Sequence, residues 1–150
     1  MNETDLQQRY QRFTDEAWGH GDFAIVDEVI APNIVHHTAG PQPGPGPEGV
    51  KSFISQMRAA LADMTSTTEH EVVDGDVLID HLTVRGTHAG DLMGFPATGR
   101  PVEFELVDIN RFDDEGRVVE HWAVMDTLGL LQQIGAIPEP HAPAMAAATP

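Results

Sequence analysis

An α+β fold, with helices first and an antiparallel sheet after them, is predicted by three features of the sequence. Up to Thr65 the apolar residues recur at helical spacing, after it they alternate, and turn sequences separate the alternating runs at hairpin intervals. At 150 residues one domain with one substantial core is expected.

From Asp5 to Trp18, residues Leu6, Tyr10, Phe13 and Ala17 form the stripe of an amphipathic helix, which Gly19 and Gly21 end. Asp22 can cap a short second helix with Phe23, Val26 and Ile30 on one face, stopped at Pro32. Asn33 to Thr38 reads as a strand, and AGPQPGPGPEG, with its four prolines and four glycines, as a loop. Pro47 and Glu48 suit a first helical turn, and Val50, Phe53, Ile54, Met57, Leu61 and Met64 give this third helix a long apolar face. The runs Thr67 to Val73, Val77 to His88, Val102 to Phe112 and Val118 to Met125 alternate as strands. Asp74-Gly75 and the DDEG of Asp113 to Gly116 are turn sequences that join neighbours as antiparallel hairpins. The domain is expected to cover residues 1–137, and the Pro/Ala-rich tail over 138–150, which has no hydrophobic period, to be flexible.

Lys and Arg total 8 against 24 Asp and Glu, and a formal net charge of -16 repels phosphate backbones and anionic lipid surfaces. Neither nucleic acid nor membrane is an expected partner. The absence of cysteine excludes disulfides, thiolate metal sites and cysteine nucleophiles. The polar, acidic N-terminus carries no apolar signal region, and no stretch approaches the roughly 20 apolar residues of a span, so a cytoplasmic location is the default expectation.

Side chains alternate across a strand, so each strand can be split into two faces and asked which is apolar enough to look inward. In the Val102 strand, Val102, Phe104, Leu106 and Phe112 share a face with Asp108 and Asn110, and that face goes inside. In the strand before it, Leu78, Leu82, Val84 and His88 carry Asp80 with them. Two carboxylates in a largely apolar interior require proton sharing or a partner, because an unpaired buried charge is costly. In the last strand, His121, Ala123 and Met125 oppose Trp122, Val124 and Asp126, and both faces remain open on hydrophobicity.

The NIVHH strand, GTHAGDLMGFPATGRPVEF, DINRFDDEGRVVEHW and the closing LGLLQQIGAIP together resemble the SnoaL-like polyketide cyclase family over about Asp5 to Pro138. This family lies in the nuclear transport factor 2 superfamily, with ketosteroid isomerase, scytalone dehydratase and limonene epoxide hydrolase. The resemblance implies an α+β barrel: a cone-shaped curved antiparallel sheet with the N-terminal helices packed on it and the ligand at its mouth. It implies a homodimer in contact through the outer sheet surface. It also implies intramolecular aldol chemistry on a hydrophobic carbonyl compound with neither metal nor cofactor, a side chain removing the acidic proton and hydrogen-bond donors stabilising the enolate. His121 falls about where those cyclases carry an acid/base aspartate, and imidazole ordinarily titrates near neutral pH. Alignment to ketosteroid isomerase puts Asp108 at the oxyanion-hole acid and His37 at the base.

His37, Asp108 and His121 are therefore the expected catalytic residues, with Trp18, Asp80, His88, Phe95, Asn110, Trp122 and Asp126 as substrate-binding candidates. His36 and His37 are adjacent, so on a strand they face opposite ways and cannot chelate one metal. His37 is placed in the pocket in preference to His36. Each candidate has a plainer reading. His88 can pin its glycine-rich turn, Asp108 can be a buried acid satisfied locally, Asp126 can cap a last helix, and the two tryptophans can be core. Met93 and Phe95 can form a lid or pack between subunits, and His20, His70 and His81 read as surface. Two function classes stand: an acid/base enzyme, as a cyclase or as an isomerase, dehydratase or epoxide hydrolase on the same scaffold, and a non-catalytic ligand-binding domain.

Overall fold

The structure, a computed structural model, describes residues 1–38 and 41–139. Helix α1 (Glu3–Phe13) starts on a capping box, in which Asn2 accepts from the Asp5 amide and Asp5 accepts from that of Asn2. It buries Leu6, Tyr10 and Phe13. The expected single helix to Trp18 instead widens into a π-helical segment over Thr14–His20. The switch falls where the Thr14 hydroxyl donates to the Tyr10 carbonyl at 3.1 Å and competes with the backbone ladder. Gly21, at φ 73°, ends the segment. Helix α2 (Ala24–Val29) is shorter than its apolar stripe suggests, because Ile30 already belongs to strand β1 (Ile30–His36).

Helix α3 (Gly46–Ala60) likewise stops before Leu61 and Met64, which pass into strand β2 (Leu61–Asp74). Leu61 pairs with His88 there, and a bulge between Ala62 and Thr65, with Asp63 at φ 52°, lets the chain turn from helix into sheet. Strands β3 (Val77–His88), β4 (Pro101–Phe112) and β5 (Val118–Met125) follow, then helix α4 (Thr127–Gln133), capped by Asp126.

The five strands form one sheet in the order β1-β5-β4-β3-β2. Consecutive strands from β2 to β5 pair antiparallel as expected, whereas β1 returns to the edge and pairs parallel with β5, so the sheet is mixed. The connection, with a whole helix and three strands in it, is long enough to permit the parallel pairing that a tight hairpin could not make. No helix among the described residues is long and apolar enough to cross a membrane. Of the expected tail, residues 140–150 lie outside the described residues.

The helices cover one face of the sheet, and the face assignments for β3 and β4 hold: Leu78, Asp80, Leu82, Val84, Val102, Phe104, Asn110 and Phe112 are all buried. The buried apolar residues nevertheless divide into two clusters. One joins α1, α2 and the first half of α3 to Leu78, Phe112 and Val118; the other joins Ala60 and Leu61 to Leu82, Val84, Phe104 and Leu130. Each of β3, β4 and β5 crosses from one cluster to the other, and the inward residues at the crossing are polar or small.

Candidate active site

Between the two clusters, the inner face of the sheet carries a transverse band of polar side chains. Sheet register alone places most of it: Asp80 pairs with Asp108, Asn110 with His121, and His121 with His36. Cross-strand neighbours on one face are close enough for side chains to meet. His121 Nε2 lies 2.9 Å from Asp108 Oδ1, and His121 Nδ1 lies 3.2 Å from His36 Nδ1. Three strands thus contribute one continuous chain, Asp108–His121–His36. The side chains of Asp108 and His121 keep 18% and 20% of their surface exposed, so the dyad is enclosed without being cut off.

Asp108 Oδ2 makes no hydrogen bond among the described residues and is not sealed from solvent. By contrast, both ring nitrogens of His121 are engaged. The free atom of the dyad is therefore a carboxylate oxygen, with the imidazole as its partner. Desolvation of His36, with the rings of His121 and His37 beside it, pushes its imidazole down to about 4. His36 is neutral at pH 7, and its Nε2 is sealed and unpartnered.

The other end of the band offers donors. Burial, with the carboxylates of Glu71 and Asp108 close by, pushes the Asp80 carboxyl up to about 7. It is 2% exposed and its Oδ1 has no partner. Asn110 Nδ2 is also sealed and unpartnered. The Tyr10 phenol, raised well above its ordinary value by burial and then by the charges of Asp108 and Asp80, keeps its proton and faces Asn110. From the sequence Tyr10 reads as a helix-stripe residue that is off register for the phenol donor of ketosteroid isomerase; its spacing from Leu6 and Phe13 accounts for its burial but gives no hint that its hydroxyl faces Asn110.

His37 does not join the band. Its Nε2 lies 3.1 Å from Glu120 on the opposite face, and its ring stacks on Trp122 with centroids 4.7 Å apart. The Arg111 guanidinium, joined by His37, holds the Glu120 carboxyl below its ordinary value. Trp122 thus faces away from His121. The residue brought inside is His36, and the signal for it is Ile34: an apolar, partly buried residue two positions earlier shares its face.

The remaining candidates have local partners. His88 is fully buried at the end of β3, where its Nδ1 lies 2.9 Å from Thr98 Oγ1 and its backbone bonds Gly99 and Arg100, which fits the turn-pinning reading. Asp126 accepts from the Gly129 amide at 2.9 Å as the cap of α4. Trp18 packs edge-on against Phe53. Phe95 closes a tight bridge with Leu92, and Met93 packs on the second cluster. Among the described residues no group of three or more histidine or acidic side chains is arranged to hold a metal ion. A separate surface cleft of about 590 Å³ beside the N-terminus, lined by Asn2, Glu3, Asp76 and Asp114, contains none of the convergent groups.

The sequence pattern of the SnoaL-like polyketide cyclases matches residues 8–134. The chain is 31% identical over 109 residues to the aklanonic acid methyl ester cyclase DnrD of Streptomyces peucetius, covering 72% of each protein. To the nogalonic acid methyl ester cyclase of Streptomyces nogalater it is 27% identical over 128 residues, covering 79% of this chain and 90% of that one. The structure of TsrD from Streptomyces laurentii superimposes with a TM-score of 0.82 at 31% identity, over 91% of this chain and 99% of that one.

Proposed function

The chain belongs to the SnoaL-like polyketide cyclase family, and from that membership we propose that it is an acid/base enzyme closing a ring in a hydrophobic, polyketide-type carbonyl compound by intramolecular aldol addition. The observation that carries the proposal is the Asp108 carboxylate, with one oxygen held by His121 at 2.9 Å and the other open on the inner face.

Asp108 Oδ2 removes a proton from a carbon flanked by carbonyl groups. The C–H electron pair passes into the enolate, whose negative oxygen needs donors, and Tyr10, Asn110 and the protonated fraction of Asp80 stand at that end of the band. The enolate carbon then attacks a second carbonyl of the same molecule, forming the ring bond. The resulting alkoxide takes the proton back from Asp108, so the enzyme ends as it began. The named relatives are cyclases of aklanonic acid methyl ester and nogalonic acid methyl ester, which supports an ester-flanked methylene as the reacting carbon.

The test uses an aryl β-keto methyl ester in D2O and follows loss of its methylene protons by NMR. Exchange faster than in protein-free buffer is expected. A probe that binds without accelerated exchange would replace the enzyme reading with that of a ligand-binding domain.

A homodimer through the outer sheet face belongs to the same proposal. Val72, Ile79 and Val124 stand 56%, 39% and 70% exposed there, an apolar surface left uncovered by the helices. Sedimentation at micromolar concentration should give twice the 16.3 kDa chain mass, and a monomer would remove this part of the proposal.

A further inference from the structure

We infer that His36 is a positioning residue whose Nδ1–H donates to His121 Nδ1 and so locks the His121 ring with its Nε2–H on Asp108. The functional part of this inference rests on the reading of Asp108 as the base; the proton assignment stands apart from it.

Proton counting across the three residues leads there. A carboxylate only accepts, so in the singly protonated form of the His121 ring the hydrogen bond to Asp108 Oδ1 takes that proton to Nε2. The Nδ1 of that ring is then a bare lone pair. It lies 3.2 Å from His36 Nδ1, and two lone pairs at that distance would repel, so His36 must carry its own proton on Nδ1. The rings lie 81° apart with centroids at 5.3 Å, a geometry that accommodates an N–H of one ring directed at the ring nitrogen of the other. Backbone pairing fixes the arrangement, because His36 and His121 are register partners in the parallel β1–β5 ladder and the His37 amide bonds the His121 carbonyl at 2.8 Å. The outward turn of His37 and the inward turn of His36 are two sides of this one pairing. Burial keeps His36 neutral, so it holds a single ring proton to place.

The consequence is a ring fastened at both nitrogens. Without His36 the imidazole keeps one hydrogen bond and can swing about it, and the Asp108 oxygen it holds moves too. Misplacement of a reacting group by about 1 Å can cost up to about a hundredfold in rate.

The first test is made on the ligand-free protein labelled with 15N in its histidine rings. His36 should show a protonated Nδ1 and a bare Nε2, the less favoured form of free imidazole, while His121 shows the reverse. A His36 proton on Nε2 would overturn the assignment. The second test uses the β-keto ester exchange reaction. His36→Phe should lower kcat about tenfold or more with KM unchanged. His36→Asn, whose amide N–H can stand where Nδ1–H stood, should recover most of that loss. Equal rates in the two variants would overturn the positioning role. If the wild-type protein catalyses no exchange, the base reading falls while the nitrogen assignment is still decided by the first test.

Discussion

Asp108→Asn is expected to slow methylene exchange of the β-keto ester at least about a hundredfold, the usual scale for loss of a general base. The amide matches the carboxylate in size, and its oxygen can still accept from His121 Nε2, so the β4–β5 pairing and the surrounding band should survive. What disappears is the open anionic oxygen. KM should change little, since the apolar clusters on either side of the band are untouched. Parallel circular dichroism would separate loss of chemistry from loss of fold. An exchange rate within a few-fold of wild type would remove Asp108 from the mechanism.

Asp80→Asn should stabilise the protein at pH 8 by up to roughly 4 kcal/mol, with the gain fading as the pH falls toward 4. The sign follows from proton binding. In the folded chain burial pushes this carboxyl up from its ordinary 3.8 to about 7, so between those values the folded state holds a proton that the unfolded state has lost. Its contribution to stability is complete below the lower value and lost as the pH rises through the upper one. At pH 8 the native state must house an ionised group that is 2% exposed, with one oxygen unpartnered and Glu71 and Asp108 beside it. Asparagine never ionises and escapes that penalty. Urea unfolding of both proteins at pH 5, 6, 7 and 8 measures the difference, and parallel stability curves for the two would contradict it.

Under the proposed function, the destabilising acid at the centre of the sheet is what the site costs the fold. Leucine at position 80 would continue the apolar run of Leu78, Leu82 and Val84 and fuse the two clusters into one. The chain instead interrupts its core on three adjacent strands at the same level, where inward residues become Asp80, then Asp108 and Asn110, then His121.

Much of this band is legible in the sequence. On β3 and β4 the apolar residues are dense enough for alternation to fix the faces, and Asp80, Asp108 and Asn110 follow by parity. Strand β5 offers no such contrast, because Trp122 and Val124 are as apolar as Ala123 and Met125. There the sheet itself decides: Asn110 pairs with His121, and Ile109 with Trp122, which sends the indole outward. Strand β1 is harder still. It is an edge strand with a register shift between Ile30 and Val35, and its partner β5 is over 80 residues away in sequence. Resemblance favoured His37 and parity from Ile34 favours His36; the parallel pairing sides with parity. The ends of α2 and α3 were overrun because Ile30, Leu61 and Met64 fit a helical stripe as well as a strand, and only long-range pairing separates the two.

Entry of the ligand into the inner polar band can be followed by titrating the protein with the aryl β-keto methyl ester and watching the histidine ring resonances. These report on both sides of the sheet, since His36 and His121 lie inside while His37, His70 and His81 stand on the outer face. Shifts at His36 and His121 with the outer three unmoved are the predicted result. Shifts confined to His37, His70 and His81 would contradict it.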